Sequence, residues 1–417
     1  MRILQVNVLA SAGSTGKITT DIHHTLLSKG YESLVCYGAG ADVPEEKGYY
    51  RICSNTERHI STLLQRIHGI AYGYYAQKGT KRIINKIQEY KPDVVHLQCI
   101  NGCIVDIYKL LRFLGVNCIK TVVTLHAEFM YTGMCGHAYD CMKFTEPNGC
   151  HHCPLYKKEL HSIVDNTHLS WKKMKAAFSS FKPENLMLTS VSPWVKSRAS
   201  MSPIVKVFRN EVVLNGLEQD VFKIVPLSEK VSQAFSKDKK LILFVGAKFN
   251  TEKENVKGGW YFVELAKRMP QHQFCIVAST YSDIDNLPSN VLFWGRTNGQ
   301  KELAELYNKA DVTVLTSRRE TFSMVTAESL CCGTPIVGFK AGGPESIAIP
   351  TYSEFVDQGD LDALCRVVEK FLNIEFKANA ISRKAHTIYA KEVMTAEFIK
   401  VYNKLMDKGY EDTRNKQ

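Results

Sequence analysis

The 417-residue sequence has no stretch approaching the roughly 20 uninterrupted apolar residues needed to span a bilayer. Its start, MRILQVNVLASAGSTG, carries one charge before a short strand-like run and glycines, so neither a signal peptide nor a transmembrane helix is expected there. Proline is scarce, at 13 residues; with 26 Gly, 45% hydrophobic and 23% charged residues, this excludes collagen-like, coiled-coil and mainly disordered classes. No internal repeat or low-complexity tract is present. There is no zinc-finger, RNA-binding or helix-turn-helix signature, hence nothing that places positive groups for reading bases.

What the chain does have is length, positive charge and thiols. Its length corresponds to two or three domains of roughly 100 to 200 residues, core enough without metals or disulfide staples. The 53 Lys and Arg against 42 Asp and Glu give +11, which suits an anionic ligand, an anionic membrane surface or nucleic acid without deciding among them. The 13 cysteines are an odd number, and without an export signal they read as reduced thiols or metal ligands rather than a disulfide framework.

The amino-terminal half repeatedly sets short β-branched runs beside stretches of helical period. ILQVNVL precedes a Gly/Ser loop and then KITTDIHHTLLSKG, whose apolar spacing and closing Gly30 predict a helix. SLVCYG, VVHLQC, CIKTVVTLH, LMLTSVS and VKVFRNEVV continue the strand series. A polar segment, VPLSEKVSQAFSKDKK, separates these from a second series that opens with LILFVG. This pattern predicts α/β architecture with parallel, doubly wound sheets and sites at the carboxyl ends of the strands. The expected division is 1–215 as a first domain with a cysteine-containing insertion at about 130–160, 216–390 as a second, and 391–417 as a helix packing back on the first. The terminal EDTRNKQ is polar enough to fray.

The most informative segment is SRRETFSMVTAESLCCGTPIVGFKAGGPESIA, residues 317–348. VTVLTS predicts a strand, Ser323 an N-cap, MVTAESLCC a helix and Gly333 its stop. Glu320 then lies in the loop at the strand's carboxyl end and Glu328 on the helix beyond it, whose first N–H groups suit a phosphate. From local sequence alone, one surface and one ordinary helix glutamate explain the pair equally well.

With these residues the chain resembles the retaining, nucleotide-sugar-dependent glycosyltransferases of the GT-B fold in the GT4 family, through their Glu-x7-Glu motif. Further segments agree in order: the glycine loop after the first strand, TLH at 124–126, LNG at 214–216, VG followed by VKGG, CGTPIVGF, and AGGPE at 341–345. The cysteine-containing stretch after TLH is most similar to colanic-acid, capsule and O-antigen enzymes. The resemblance implies two Rossmann-like doubly wound domains facing across a cleft.

By that resemblance Glu328 accepts from the ribose hydroxyls of the donor and Glu320 lies at the transferring sugar. Lys257 contacts the diphosphate, where a fixed cation offsets charge developing on the leaving phosphate. His126 contacts the sugar, donating to its 6-hydroxyl, and Gly13 and Gly16 of SAGSTGK approach the diphosphate and acceptor. This loop is not a Walker A motif, because Ser11 stands where its first Gly would be and Ile18 follows Lys17. Thr321, Phe322 and Ser323 form the phosphate loop, with Thr321 and Ser323 replacing the two glycines of many relatives. Gly342, Gly343 and Glu345 border the nucleotide. Relatives often have Arg where this chain has Ala247, and Lys248 is its substitute, as a point charge rather than a bidentate fork.

Cys135, Cys141, Cys150 and Cys153 lie within CGHAYDCMKFTEPNGCHHC, an insertion expected to have little apolar material of its own. Four soft ligands suit a structural zinc, the alternatives being unliganded thiols and disulfides. No catalytic cofactor is implied. The expected activity is retaining transfer from an NDP-sugar to a glycan or lipid-linked oligosaccharide acceptor in surface polysaccharide synthesis. It is expected in the cytoplasm, with peripheral contact at the anionic inner-membrane face and no specific nucleic acid. The competing readings are a GT-B-fold NDP-sugar epimerase or hydrolase, and a nucleic-acid or anionic-surface binding protein favoured by net charge alone.

Overall fold

The structure, a computed structural model, describes residues 1–282 and 286–407. The EDTRNKQ terminus lies outside the described residues. The chain divides into two compact units, one formed by Met1–Val213 together with the chain from Thr395 onward, the other by Leu214–Met394.

In the first unit the strands are β1 (Arg2–Leu9), β2 (Glu32–Ala39), β3 (Tyr49–Arg51), β4 (Val94–Leu97), β5 (Thr121–Leu125), β6 (Leu186–Ser190) and β7 (Arg209–Val212). They form one parallel sheet in the order β3-β2-β1-β4-β5-β6-β7. β4, β5 and β6 are buried along their whole length, as strands covered on both faces must be. The helix Gly13–Ser28 sets Ile18, Ile22 and Leu26 on one buried stripe, four residues apart. The helix Asn55–His68 starts with a capping box between Ser54 and Glu57. Phe398, Val401, Tyr402 and Leu405 of the last helix, Lys391–Met406, are buried, and the Tyr402 hydroxyl bonds His96 of β4 at 2.7 Å.

The second unit holds β8 (Leu241–Phe249), β9 (Gln273–Tyr281), β10 (Val291–Gly295), β11 (Val312–Leu315), β12 (Ile336–Phe339) and β13 (Ser353–Val356). These are parallel in the order β10-β9-β8-β11-β12-β13. In its core Phe262 packs edge to face with Phe274 and tilted against Phe244, and the helix Leu361–Leu372 closes one side with Leu364, Val368 and Phe371. In both sheets the strand order reverses beside the first strand, at β1/β4 and at β8/β11. Loops leaving the carboxyl ends there diverge and leave a crevice, where doubly wound sheets bind ligands.

Three elements differ from their sequence reading. The first helix begins at Gly13, not after the glycine loop, so Gly13 and Gly16 occupy its first turn. Of VKVFRNEVV only Arg209–Val212 is strand, because Val205 and Phe208 are spent closing turns back to Ser202 and Val205. β8 runs past LILFVG through Lys248, which pairs with Thr280 of β9. Among the described residues no helix is long and apolar enough to cross a membrane.

Candidate active site

In the second unit, chemistry gathers where β8, β11 and β12 end. The loop after β8 brings Lys257 to its position through two local bonds. Asn255 Oδ1 accepts the Lys257 amide at 2.9 Å, and the Lys257 carbonyl accepts from Thr316 Oγ1 at 3.0 Å. Gly258 next to it has φ +67°, and a Cβ there would stand 2.1 Å from the Thr316 carbonyl oxygen. Only glycine both tolerates that backbone and admits that approach. The result is a short ion pair, Lys257 Nζ to Glu320 Oε1 at 2.6 Å, with the Glu320 side chain only 18% exposed.

Glu320 is held from both sides of its own backbone. Its amide donates to the Ala341 carbonyl at 3.0 Å and its carbonyl accepts from the Gly343 amide at 2.8 Å, which ties the loop after β11 to the loop after β12. A Cβ at Gly343 would fall 2.5 Å from the Thr321 carbonyl carbon, so AGGPE and the Thr321–Ser323 loop are in direct backbone contact. The Glu345 carboxylate turns inward and accepts from the amides of Ala341 and Gly342 at 3.0 and 2.8 Å. It shapes the loop. The Phe322 side chain is 3% exposed and faces Tyr389, so its side chain belongs to the core.

Ser323 caps the helix Met324–Cys331, accepting from the Thr326 amide at 3.3 Å. Its φ is +82°, a region costly for a residue with a Cβ, by roughly 1–3 kcal/mol. The backbone here has the conformation a glycine would favour, and Ser323 holds it while supplying a hydroxyl. Glu328, on that helix, accepts from the Tyr307 hydroxyl at 3.0 Å. Tyr307 is fully buried, and burial first, then the Glu328 carboxylate, raises its phenol well above the usual range. Tyr307 therefore stays a donor. Lys248 is exposed on β8 and is not among the groups brought to the Lys257–Glu320 pair.

In the first unit, His126 follows β5 and is 7% exposed. A relay fixes its tautomer. Gln5 donates its amide to the Thr19 carbonyl, so its oxygen accepts from Gln98 at 3.2 Å; the Gln98 oxygen then faces His126 Nε2 at 2.8 Å. Nε2 thus carries the proton and spends it on Gln98. Burial lowers the His126 pKa to about 4 and that of neighbouring His96 to about 3. Both are neutral when folded, whereas in the unfolded chain each binds a proton near pH 6.5. Below about pH 6.5 the unfolded state therefore gains protons that the folded state refuses. The stability present above that pH should be lost progressively as pH falls toward 4. Melting temperatures across this range should fall, more shallowly for His126→Gln; a flat wild-type profile would contradict the assignment.

The helix Gly13–Ser28 starts after Ala12 with no side-chain cap, and Gly16 sits tight against the Ser11 backbone, where a Cβ would lie 3.1 Å away. Its first N–H groups have no side chain serving them, the arrangement that favours an anion.

The expectation of a zinc site is corrected. Cys135, Cys141, Cys150 and Cys153 do border one small cavity, but among the described residues no group of three or more His, Cys, Asp or Glu is arranged to hold a metal ion. All thirteen cysteines are free thiols. Cys135 donates to the Cys153 sulfur, which lowers the Cys153 pKa to about 7, and the Cys150 sulfur accepts the Gly133 amide at 3.2 Å. The premise fails as well, since Met130, Tyr131 and Phe144 of the insertion are buried, with the Tyr131 and Phe144 rings in contact. Its centre is an ion pair that spacing alone could not show, Arg198 Nε to Glu128 Oε1 at 2.5 Å, with Glu128 fully buried.

Two α/β units, each built on a parallel doubly wound sheet, match the GT-B fold of the solved structures named below. Residues 228–388, which include Lys257, Glu320 and Glu328, match the family Glycosyl transferases group 1. The chain is 19% identical over 424 residues to an Escherichia coli (strain K12) protein whose name assigns it to colanic acid biosynthesis as a glycosyl transferase, covering 97% of this chain and 100% of that one. A sucrose-phosphate synthase from Thermosynechococcus elongatus superposes with a TM-score of 0.67 at 16% identity, covering 97% of this chain and 99% of that one. An Anabaena protein, HepE, solved with UDP-glucose, superposes at 0.62 with 14% identity, covering 97% and 99%.

Proposed function

We propose that this protein transfers a sugar, with retention of anomeric configuration, from an NDP-sugar to a glycan or lipid-linked oligosaccharide acceptor. The place proposed is the cytoplasmic face of the membrane, in surface polysaccharide synthesis. The observation that carries the reading is the Lys257–Glu320 pair at 2.6 Å, set with Glu328 at the strand ends of the second sheet. Such a pair supplies both charges the reaction uses. Lys257 stabilises negative charge on the departing diphosphate, and Glu320 supports the positive character of the anomeric carbon while holding sugar hydroxyls. The acceptor attacks on the face from which the nucleotide leaves, and the leaving phosphate takes its proton. A glycosidase-like double displacement between two carboxylates is not needed. His126 is given to the transferring sugar, and Gly13, Gly16, Thr321, Ser323, Gly342 and Gly343 to backbone contacts with the donor. The colanic-acid assignment of the Escherichia coli relative and the UDP-glucose bound to HepE support this choice of acceptor class and donor.

Glu328 is assigned to the ribose hydroxyls. Glu328→Gln should weaken donor binding about tenfold or more, since a neutral amide is a poorer acceptor than a carboxylate, while Tyr307 keeps its partner. Equal donor affinity in the two proteins by calorimetry would remove the role. The activity itself is tested with a nucleotide-sugar panel and a cell-derived lipid-linked acceptor, following free nucleotide and glycosylated product together. Nucleotide release matched by product formation supports transfer. Release with free or epimerised sugar and no product would establish the hydrolase or epimerase reading instead.

A further inference from the structure

A groove of about 690 Å³ runs along the helix Thr167–Phe178 in the first unit, and nothing above uses it. One wall is a helical face, His168, Trp171, Lys172 and Lys175 at spacings of three and four residues; the other is the end of the cysteine-containing insertion, with His151 and His152. The groove is built in advance. Gly149 has φ +67° and lies so close to the Trp171 indole that a Cβ there would stand 2.1 Å from it. Lys143 clamps the same turn by donating to the carbonyls of His151 and His152 at 3.2 and 2.9 Å.

Its chemistry is one-sided. Among the described residues Lys172 and Lys175 form no ion pair, and Lys175 Nζ sits 5.0 Å from the centre of the Trp171 ring. Two carboxylates lie beside its histidines, Glu146 next to His151 and Asp165 next to His152. Asp165 accepts from the Cys153 amide at 2.7 Å and from Thr167 Oγ1 at 2.6 Å, and Glu146 lies 4.0 Å from His151 Nε2. His151 and His168 give their Nδ1 protons to the carbonyls of Gly149 and Cys150, so their Nε2 atoms keep their lone pairs. Trp171 is 3% exposed, and its Nε1–H is buried without a hydrogen-bond partner among the described residues. A buried donor of that kind is rare.

We propose that this groove binds an anionic saccharide, with Lys172 and Lys175 as counter-charges to a carboxylate or phosphate on the sugar. The imidazoles, Asn148 and Ser179 supply acceptors and donors for its hydroxyls. The volume fits a short oligosaccharide rather than a lone ion. As the anchor of an acidic acceptor, the groove rests on the transferase reading; the binding itself does not.

Calorimetry on the full chain tests it with a glucuronic-acid disaccharide, the same disaccharide reduced at its carboxyl group, inorganic phosphate, and UDP as a separate arm. The acidic disaccharide should bind, and the neutral one roughly tenfold or more weakly. Lys172→Ala with Lys175→Ala should cost the acidic ligand a similar factor and leave UDP binding unchanged. Phosphate binding with the same sensitivity to that variant supports the site with phosphate as the group recognised. Equal affinity for acidic and neutral disaccharides, no saturable binding of either anion, or full binding by the double variant would overturn the proposal. Loss of the UDP arm with the anion arms intact would count against the transferase reading alone.

Discussion

Lys257→Met should lower kcat for sugar transfer by roughly 10² to 10³ while donor affinity changes much less, a loss of about 3–4 kcal/mol of barrier stabilisation. Methionine keeps much of the side-chain length and removes the charge. The geometry adds a consequence. Lys257 and Glu320 meet at 2.6 Å with Glu320 mostly shielded, so removing the cation also orphans a carboxylate. Glu320→Gln alone should slow transfer, and adding it to Lys257→Met should cost less than the two single losses combined. Single-turnover transfer at saturating donor and acceptor is the measurement, because slow product release can mask the effect. An unchanged chemical rate in a folded, donor-bound variant would end the assignment, and additive losses would show that the pair does not act as one unit.

The next largest effect belongs to the insertion. Glu128 accepts from Arg198 Nε at 2.5 Å, the Ala138 amide at 2.6 Å and the Tyr131 hydroxyl at 3.2 Å, and both charged partners are buried. Glu128→Gln should destabilise the protein by about 3–5 kcal/mol, because it leaves the Arg198 charge uncompensated away from water. Removing both charges with Glu128→Gln and Arg198→Met should recover a large part of that loss. Urea unfolding followed by circular dichroism reads both. A single-variant change under about 1 kcal/mol would place the pair among ordinary surface contacts.

These two sites show what the sequence makes legible. Lys257, Glu320 and Glu328 stand in short motifs beside predicted strands, and the alternation of strands and helices places such motifs at carboxyl ends. Local order is enough for that. Glu128 and Arg198 are seventy positions apart and Tyr307 is twenty-one from Glu328, and nothing local distinguishes Tyr307 in ELYNKA from a core tyrosine. Gln5, in the middle of β1, and Gln98, just after β4, set the His126 tautomer, and only the pairing of β1 with β4 brings them together. The edge strands β3 and β13, three and four residues long, are too short to carry a period. The zinc expectation failed for a related reason. Thiol spacing was visible, but the buried Met130, Tyr131 and Phe144 that make a metal staple unnecessary depend on the tertiary fold.

The central claim is transfer with retention at the Lys257–Glu320 pair. It is tested most directly by the anomeric configuration of the product. The wild-type protein is incubated with an α-linked NDP-sugar and acceptor, and proton NMR of the purified glycan reads the coupling at the new anomeric centre. An α-linkage, formed by the wild type and lost with Lys257→Met, is the predicted result. A β-linkage, or nucleotide release that yields only free sugar, would contradict it.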